Sequence, residues 1–270
     1  MAFYRIQKRN FFSGLSLTMK LIIVNVILYF VGIFILAAYG GDFLLNYIAI
    51  KPSLILAGKS LWTIITSMFM HGSLFHIFAN MFSLFFIGNF LERIIGKKRF
   101  FWIYIISGII GGLFFVMASL FFGNLDASAV GASGALFGLL GVLAVLVPYS
   151  RVYLIAGPLI AIVLEVIFSP IMAETFLPIF SFLINFIIIL MIFSLFSFNK
   201  SFRKIAIPIE LPLWLLPIIA IVPLTIIGYF VPLPIGNSAH IGGLLTGMAY
   251  AFYLRYKFPN KTQRLRNHFK

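Results

Sequence analysis

The chain of 270 residues has no cysteine and only six acidic residues. Without cysteine there is no disulfide framework and no thiol nucleophile. Charge of either sign is scarce, with Asp, Glu, Lys and Arg together making up 10% of the chain. No metal or nucleotide motif is present, so no cofactor and no metal are expected. No soluble domain, low-complexity stretch or internal repeat stands out. What the chain has in quantity is apolar surface: 62% of its residues are hydrophobic and its mean hydropathy is +1.12. A soluble core cannot hide that much, and the natural solvent for it is lipid. The net charge of +14 does not indicate nucleic acid. The basic residues lie in short clusters between apolar runs, as in membrane proteins whose Lys and Arg fix topology. The expected partner surface is therefore the lipid bilayer.

A membrane span needs about 20 mostly apolar residues. The sequence offers eight candidates: 20–39, 73–91, 100–122, 133–149, 152–168, 176–198, 211–231 and 239–256. The run at 21–38 follows a basic N-terminus, as in a signal peptide, but it is long and no small-x-small cleavage site follows. It reads as a retained first transmembrane helix. With the N-terminus in the cytoplasm and the spans alternating, every Lys and Arg except Lys51 and Lys59 falls inside. Merging the short fourth and fifth spans would put Lys200, Arg203 and Lys204 outside, against the positive-inside rule. The predicted organisation is a cytoplasmic N-terminal segment (1–19), a transmembrane domain (20–256) and a basic cytoplasmic tail (257–270). The segment 40–72 is too apolar for a free loop and is expected to lie in the interface, with Trp62 as an anchor.

Polar residues inside spans are the informative ones. His76 and Asn80 fall in span two, Ser133 at the head of span four, Asn185 in span six and His240 at the head of span eight. Spans two, four and eight all descend from the outside. His76, Asn80, Ser133 and His240 thus share a layer about 5–12 Å below the outer end, and the i,i+4 spacing puts His76 and Asn80 on one face. Taken singly, each has a structural reading as helix–helix glue or a bond back to its own helix. Asn185 and His71 keep that reading. The glycines favour a joint one. Gly134 and Gly138 form a small-xxx-small pair in span four, as do Gly243 and Gly247 in span eight and Gly108 and Gly112 in span three. Packing of spans four and eight through these faces would bring Ser133 towards His240, as a serine nucleophile requires of its base. Ser133 at a helix N-terminus also meets free N–H groups that favour an oxyanion. Gly131 and Gly134 permit the tight backbone before that helix. No carboxylate is placed to orient His240, so a dyad is expected rather than a triad.

The stretches HGSLFHIFAN (71–80), LER with GKKRF (91–100), GASGALFGLLG (131–141) and NSAHIGGLLTGM (237–248) resemble the rhomboid intramembrane serine proteases. The resemblance covers most of 60–150 and 236–256. It implies Ser133 as nucleophile and His240 as general base, with His76, Asn80 and the Ser133 N–H as oxyanion donors. Phe137 would pack against the histidine, supported by Gly243. It also implies an all-α polytopic membrane bundle, with the serine on a short central span and transmembrane proteins as substrates. Two departures stand out. The family's first loop often carries Trp-Arg, where this chain has Trp62-Thr63. The family core also has one span between serine and histidine, whereas here 107 residues leave room for three, about two of them extra. The proline-rich 211–231 is the expected lateral gate, with 152–168 the other contender.

Three functions compete at this point. The expected one is a membrane-embedded endopeptidase acting near the outer face. A non-catalytic rhomboid-like protein that binds or escorts client helices would not need all four polar residues. A transporter would need polar residues along a whole path, and the inner halves of the spans look nearly bare.

Overall fold

A computed structural model describes residues 14–194, 199–230 and 236–269. Arg5, Lys8 and Arg9 of the predicted N-terminal segment lie outside the described residues. So do the predicted span ends at 195–198 and 231, and the last residue of the tail. The chain divides into two compact units, one of 1–146 with 235–262 and the other of 147–234 with 263–270.

The first unit opens with helix α1 (Leu17–Tyr39), held at its start by a side-chain cap. Ser16 Oγ accepts from Met19 N–H at 3.1 Å. The Glu92 carboxylate accepts from Leu17 N–H at 2.9 Å, Thr18 N–H at 2.8 Å and the Thr18 hydroxyl at 2.7 Å. Three donors that the helix cannot satisfy itself are thereby met by one buried anion at the positive end of the dipole. Short helices α2 (Gly41–Tyr47), α3 (Pro52–Leu56) and α4 (Thr63–Thr66) follow. Trp62 is exposed and donates its indole N–H to the Tyr47 carbonyl at 2.9 Å. This segment is tied to the loop before Ser133. Ile50 and Ala129 exchange backbone hydrogen bonds at 3.0 Å, and Gly131 N–H donates to the Ser67 carbonyl at 2.8 Å.

Helix α5 (Leu74–Ile95) begins with Ser73 Oγ accepting from His76 N–H and contains a π-helical turn at Leu84–Gly88. Gly96, at φ +82°, turns the chain into α6 (Lys97–Phe122). Helix α7 (Ser133–Leu146) has every residue buried except Ser133, Phe137 and Ala144. A helix that is apolar on all sides belongs at the centre of a bundle. At 14 residues it is about 21 Å long, short of a hydrocarbon slab of about 30 Å.

The second unit contains an element the sequence reading missed. Residues 151–155 and 208–212, the first of them the expected start of a span at 152, form strands β1 (Arg151–Ile155) and β2 (Pro208–Pro212). They pair antiparallel, with Tyr153 opposite Glu210. Two prolines bracket β2, where they forgo a ladder donor without disturbing an inner strand. Between the strands lie α8 (Ala156–Phe168), α9 (Leu177–Ser194) and the short α10 (Lys200–Arg203). Asn185 Nδ2 donates to the Ser181 carbonyl of its own helix at 2.7 Å. Helix α11 (Leu216–Phe230) carries Pro223 in its interior. The chain then returns to the first unit with α12 (Asn237–Lys257) and continues into α13 (Pro259–His268).

The core of the first unit is α7 clasped by α6 and α12. A Cβ added to Gly243 would fall on the carbonyl oxygen of Gly134, and one on Gly247 on that of Gly138. Backbones this close leave no room for a side chain between the helices. The glycines of α6 behave differently from the sequence expectation. Gly108 faces the end of Met68 and Gly112 faces Ile50, whereas Gly111 approaches α12, where a Cβ would lie 2.8 Å from the Ala239 carbonyl oxygen. The end of this unit away from Ser133 is also less bare than expected. Buried Thr18 and Asn25 lie in the first half of α1, Glu92 near the end of α5 and Tyr104 in the first half of α6. The chain is an all-α polytopic membrane bundle, with α1, α5, α6 and α9 long and apolar enough to cross a bilayer by length and composition.

Candidate active site

Three helix beginnings meet around Ser133. Ser133 is the first residue of α7, His240 lies in the first turn of α12, and His76 lies in the first turn of α5. His240 Nε2 and Ser133 Oγ are 2.8 Å apart. That is a full hydrogen bond between groups 107 residues apart in sequence. His240 is buried and stacks on Phe137, with centroids 4.4 Å apart and planes at 19°. The stack fixes the imidazole plane, and the glycine contacts of α7 and α12 fix the distance between the two helices. The arrangement lets the hydroxyl pass its proton to Nε2 as Oγ bonds elsewhere.

The loop entering α7 runs over His76. Gly131 adopts φ +128°, and a Cβ there would lie 2.8 Å from His76 Nε2 and 3.9 Å from Ser133 Oγ. The Nε2 edge of His76 therefore borders the same small space as the serine hydroxyl. Asn80 is buried, and its Nδ2 donates to the His76 carbonyl at 2.9 Å. The amide has two hydrogens, so one remains for another acceptor. Gly134 and Gly243 meet at the α7–α12 contact immediately below Ser133. All eight residues singled out from the sequence thus lie in the first unit. Among the described residues, no group of three or more His, Asp or Glu side chains could hold a metal.

Two contacts of the first unit were not foreseen from the sequence, one made by Glu92 and one by His71. Glu92 falls just beyond the predicted end of span two, so its capping of α1 went unseen. Its place in the LER stretch was the available signal. His71 is 4% exposed and its ring meets that of His76 edge to face, with centroids 5.1 Å apart and planes at 71°. The spacing of five from His76 did not reveal that contact.

Fold and site together define a polytopic membrane protein with a hydroxyl–imidazole pair recessed at the head of a short central helix. The family model described as the Rhomboid domain matches residues 58–196 and 180–257, and the chain belongs to the rhomboid family. It is similar to RHOMBOID-like protein 1 of Arabidopsis thaliana, 44% identical over 93 residues, or 34% of this chain and 23% of that protein. It is 44% identical to Inactive RHOMBOID-like protein 8 of the same plant over 81 residues, 30% of this chain and 22% of that one. Against Rhomboid protein 1, mitochondrial, of Saccharomyces cerevisiae it is 38% identical over 101 residues, 36% of this chain and 28% of the yeast protein. The matched stretches span less than a third of each of these relatives.

Proposed function

We propose that the protein is an intramembrane serine endopeptidase that hydrolyses peptide bonds in or near the transmembrane segments of other membrane proteins. The observation that carries this reading is the 2.8 Å contact between His240 Nε2 and Ser133 Oγ. Ser133 Oγ attacks the carbonyl carbon of the scissile bond while its proton moves to His240 Nε2. The oxyanion that forms is met by the Ser133 N–H, the free hydrogen of Asn80 Nδ2 and His76 Nε2–H. His240 then gives its proton to the departing amine, leaving an acyl-serine. A water molecule, deprotonated by His240, attacks that ester and releases Ser133 with its proton restored. No carboxylate takes part. The reading places the protein in a cell membrane with both termini in the cytoplasm, so that water reaches Ser133 from the outer face.

The test is cleavage of a transmembrane substrate by purified protein in lipid, comparing wild type with Ser133→Ala and His240→Ala. Both variants are expected to fall to background, and equal cleavage by all three would overturn the proposal. A second reading is a non-catalytic rhomboid-like protein that binds client helices, and the similarity to an inactive relative favours it. A fluorophosphonate probe separates the two. Mass spectrometry finds the adduct on Ser133 if the serine is activated, and finds none if the protein only binds.

A further inference from the structure

His71 takes part in no step above, although it touches a residue that does. It lies in the turn between Phe69 and Leu74, is buried, and neither ring nitrogen has a hydrogen-bond partner among the described residues. Buried polar atoms are nearly always paired, so such a group calls for an explanation. The Phe69 backbone lies near enough to favour a proton on the ring, which leaves the other nitrogen for a different partner. The side chain in ring contact with it is His76.

His76 can act on an oxyanion in only one of its two neutral forms. With the proton on Nε2 it presents a donor at the Gly131–Ser133 edge. With the proton on Nδ1 it presents a lone pair there, which repels negative charge. The choice is set by the hydrogen bond the other nitrogen makes. We propose that His71 is a positioning residue that holds His76 in its Nε2–H tautomer by ordering one water between the two rings, which donates one hydrogen to the lone-pair nitrogen of His71 and the other to His76 Nδ1. The inference rests on the reading of His76 as an oxyanion donor. It adds the reason that a second histidine is buried behind the first.

The chain has four histidines, so full-length protein labelled with 15N-histidine in lipid bilayers gives a readable solid-state NMR spectrum. The wild type is expected to show His76 protonated at Nε2. His71→Phe keeps the ring volume and removes both nitrogens, and is expected to shift His76 towards the Nδ1–H form. It should lose about tenfold to a hundredfold in kcat, less than the roughly 10²–10³ associated with outright loss of an oxyanion donor, with KM within about twofold. His71→Gln restores a polar partner and should recover most of kcat. An Nδ1–H His76 in the wild type would overturn the proposal, as would an unchanged tautomer or unchanged kcat in His71→Phe. Should His71→Phe fail to fold, the wild-type spectrum and His71→Gln still decide it. Wild type that cleaves nothing would sink the proposed function, while the spectra would still report whether His71 governs His76.

Discussion

At Gly131 the backbone stands at φ +128° with the edge of His76 where a side chain would be. Glycine is required there on two counts, conformation and space. Gly131→Ala is expected to keep the bundle folded but displace His76 or the Ser133 N–H, lowering kcat by about a hundredfold in a cleavage assay, as for loss of one oxyanion donor. If Asn80 serves as an oxyanion donor, as proposed, Asn80→Ala should lower kcat by about 10²–10³ with little change in KM. His71 yields a prediction about stability. Its burial, together with the neighbouring His76, lowers its pKa from 6.5 to about 3. The unfolded chain takes up that proton near pH 6.5 and the folded one only near 3. The neutral ring's contribution is therefore complete above the higher value and is lost as pH falls through the window. Thermal unfolding in detergent at about pH 4.5 and 7.5 should show a lower midpoint in acid for wild type, and a smaller drop for His71→Phe.

Among the elements, α7 and α12 are joined by backbone rather than by side chains. Gly243→Leu is expected to wedge them apart, abolish fluorophosphonate labelling of Ser133 and lower the unfolding midpoint. Gly108→Ala meets only the flexible end of Met68 and should leave labelling near wild type. Much of this was legible beforehand, because Gly134, Gly138, Gly243 and Gly247 keep step with Ser133 and His240 along their helices. The error over α6 has the same source. Gly108, Gly111 and Gly112 all lie on α6, and spacing alone does not say which of them meets the helix pair and which meets the loop segment. The strands at 151–155 and 208–212 were hidden for another reason. Their apolar character extends the neighbouring spans, and partners 50 or more residues apart leave no local mark. The cap on α1 joins Glu92 to residues 74 and 75 positions earlier and was equally invisible. Glu92→Ala would orphan buried donors at about 1–3 kcal/mol each, and calorimetry should record a fall of several degrees in the unfolding midpoint.

For the whole molecule, the absence of cysteine makes topology directly measurable. Asp126→Cys, in the loop ahead of Ser133, should react with an impermeant maleimide on intact cells. Thr262→Cys, in the basic tail, should react only after permeabilisation. The opposite pattern would reverse the orientation assigned from charge. One further consequence concerns the making of the protein. Ser133 and His240 are separated by a long excursion through the second unit, from Val147 to Pro234. A ribosome delivers the hydroxyl to the bilayer well before it has translated the imidazole. On the proposed function, a nascent or truncated chain ending short of Asn237 carries a nucleophile without its base, so the order of translation keeps the half-made molecule from cutting the proteins being inserted beside it.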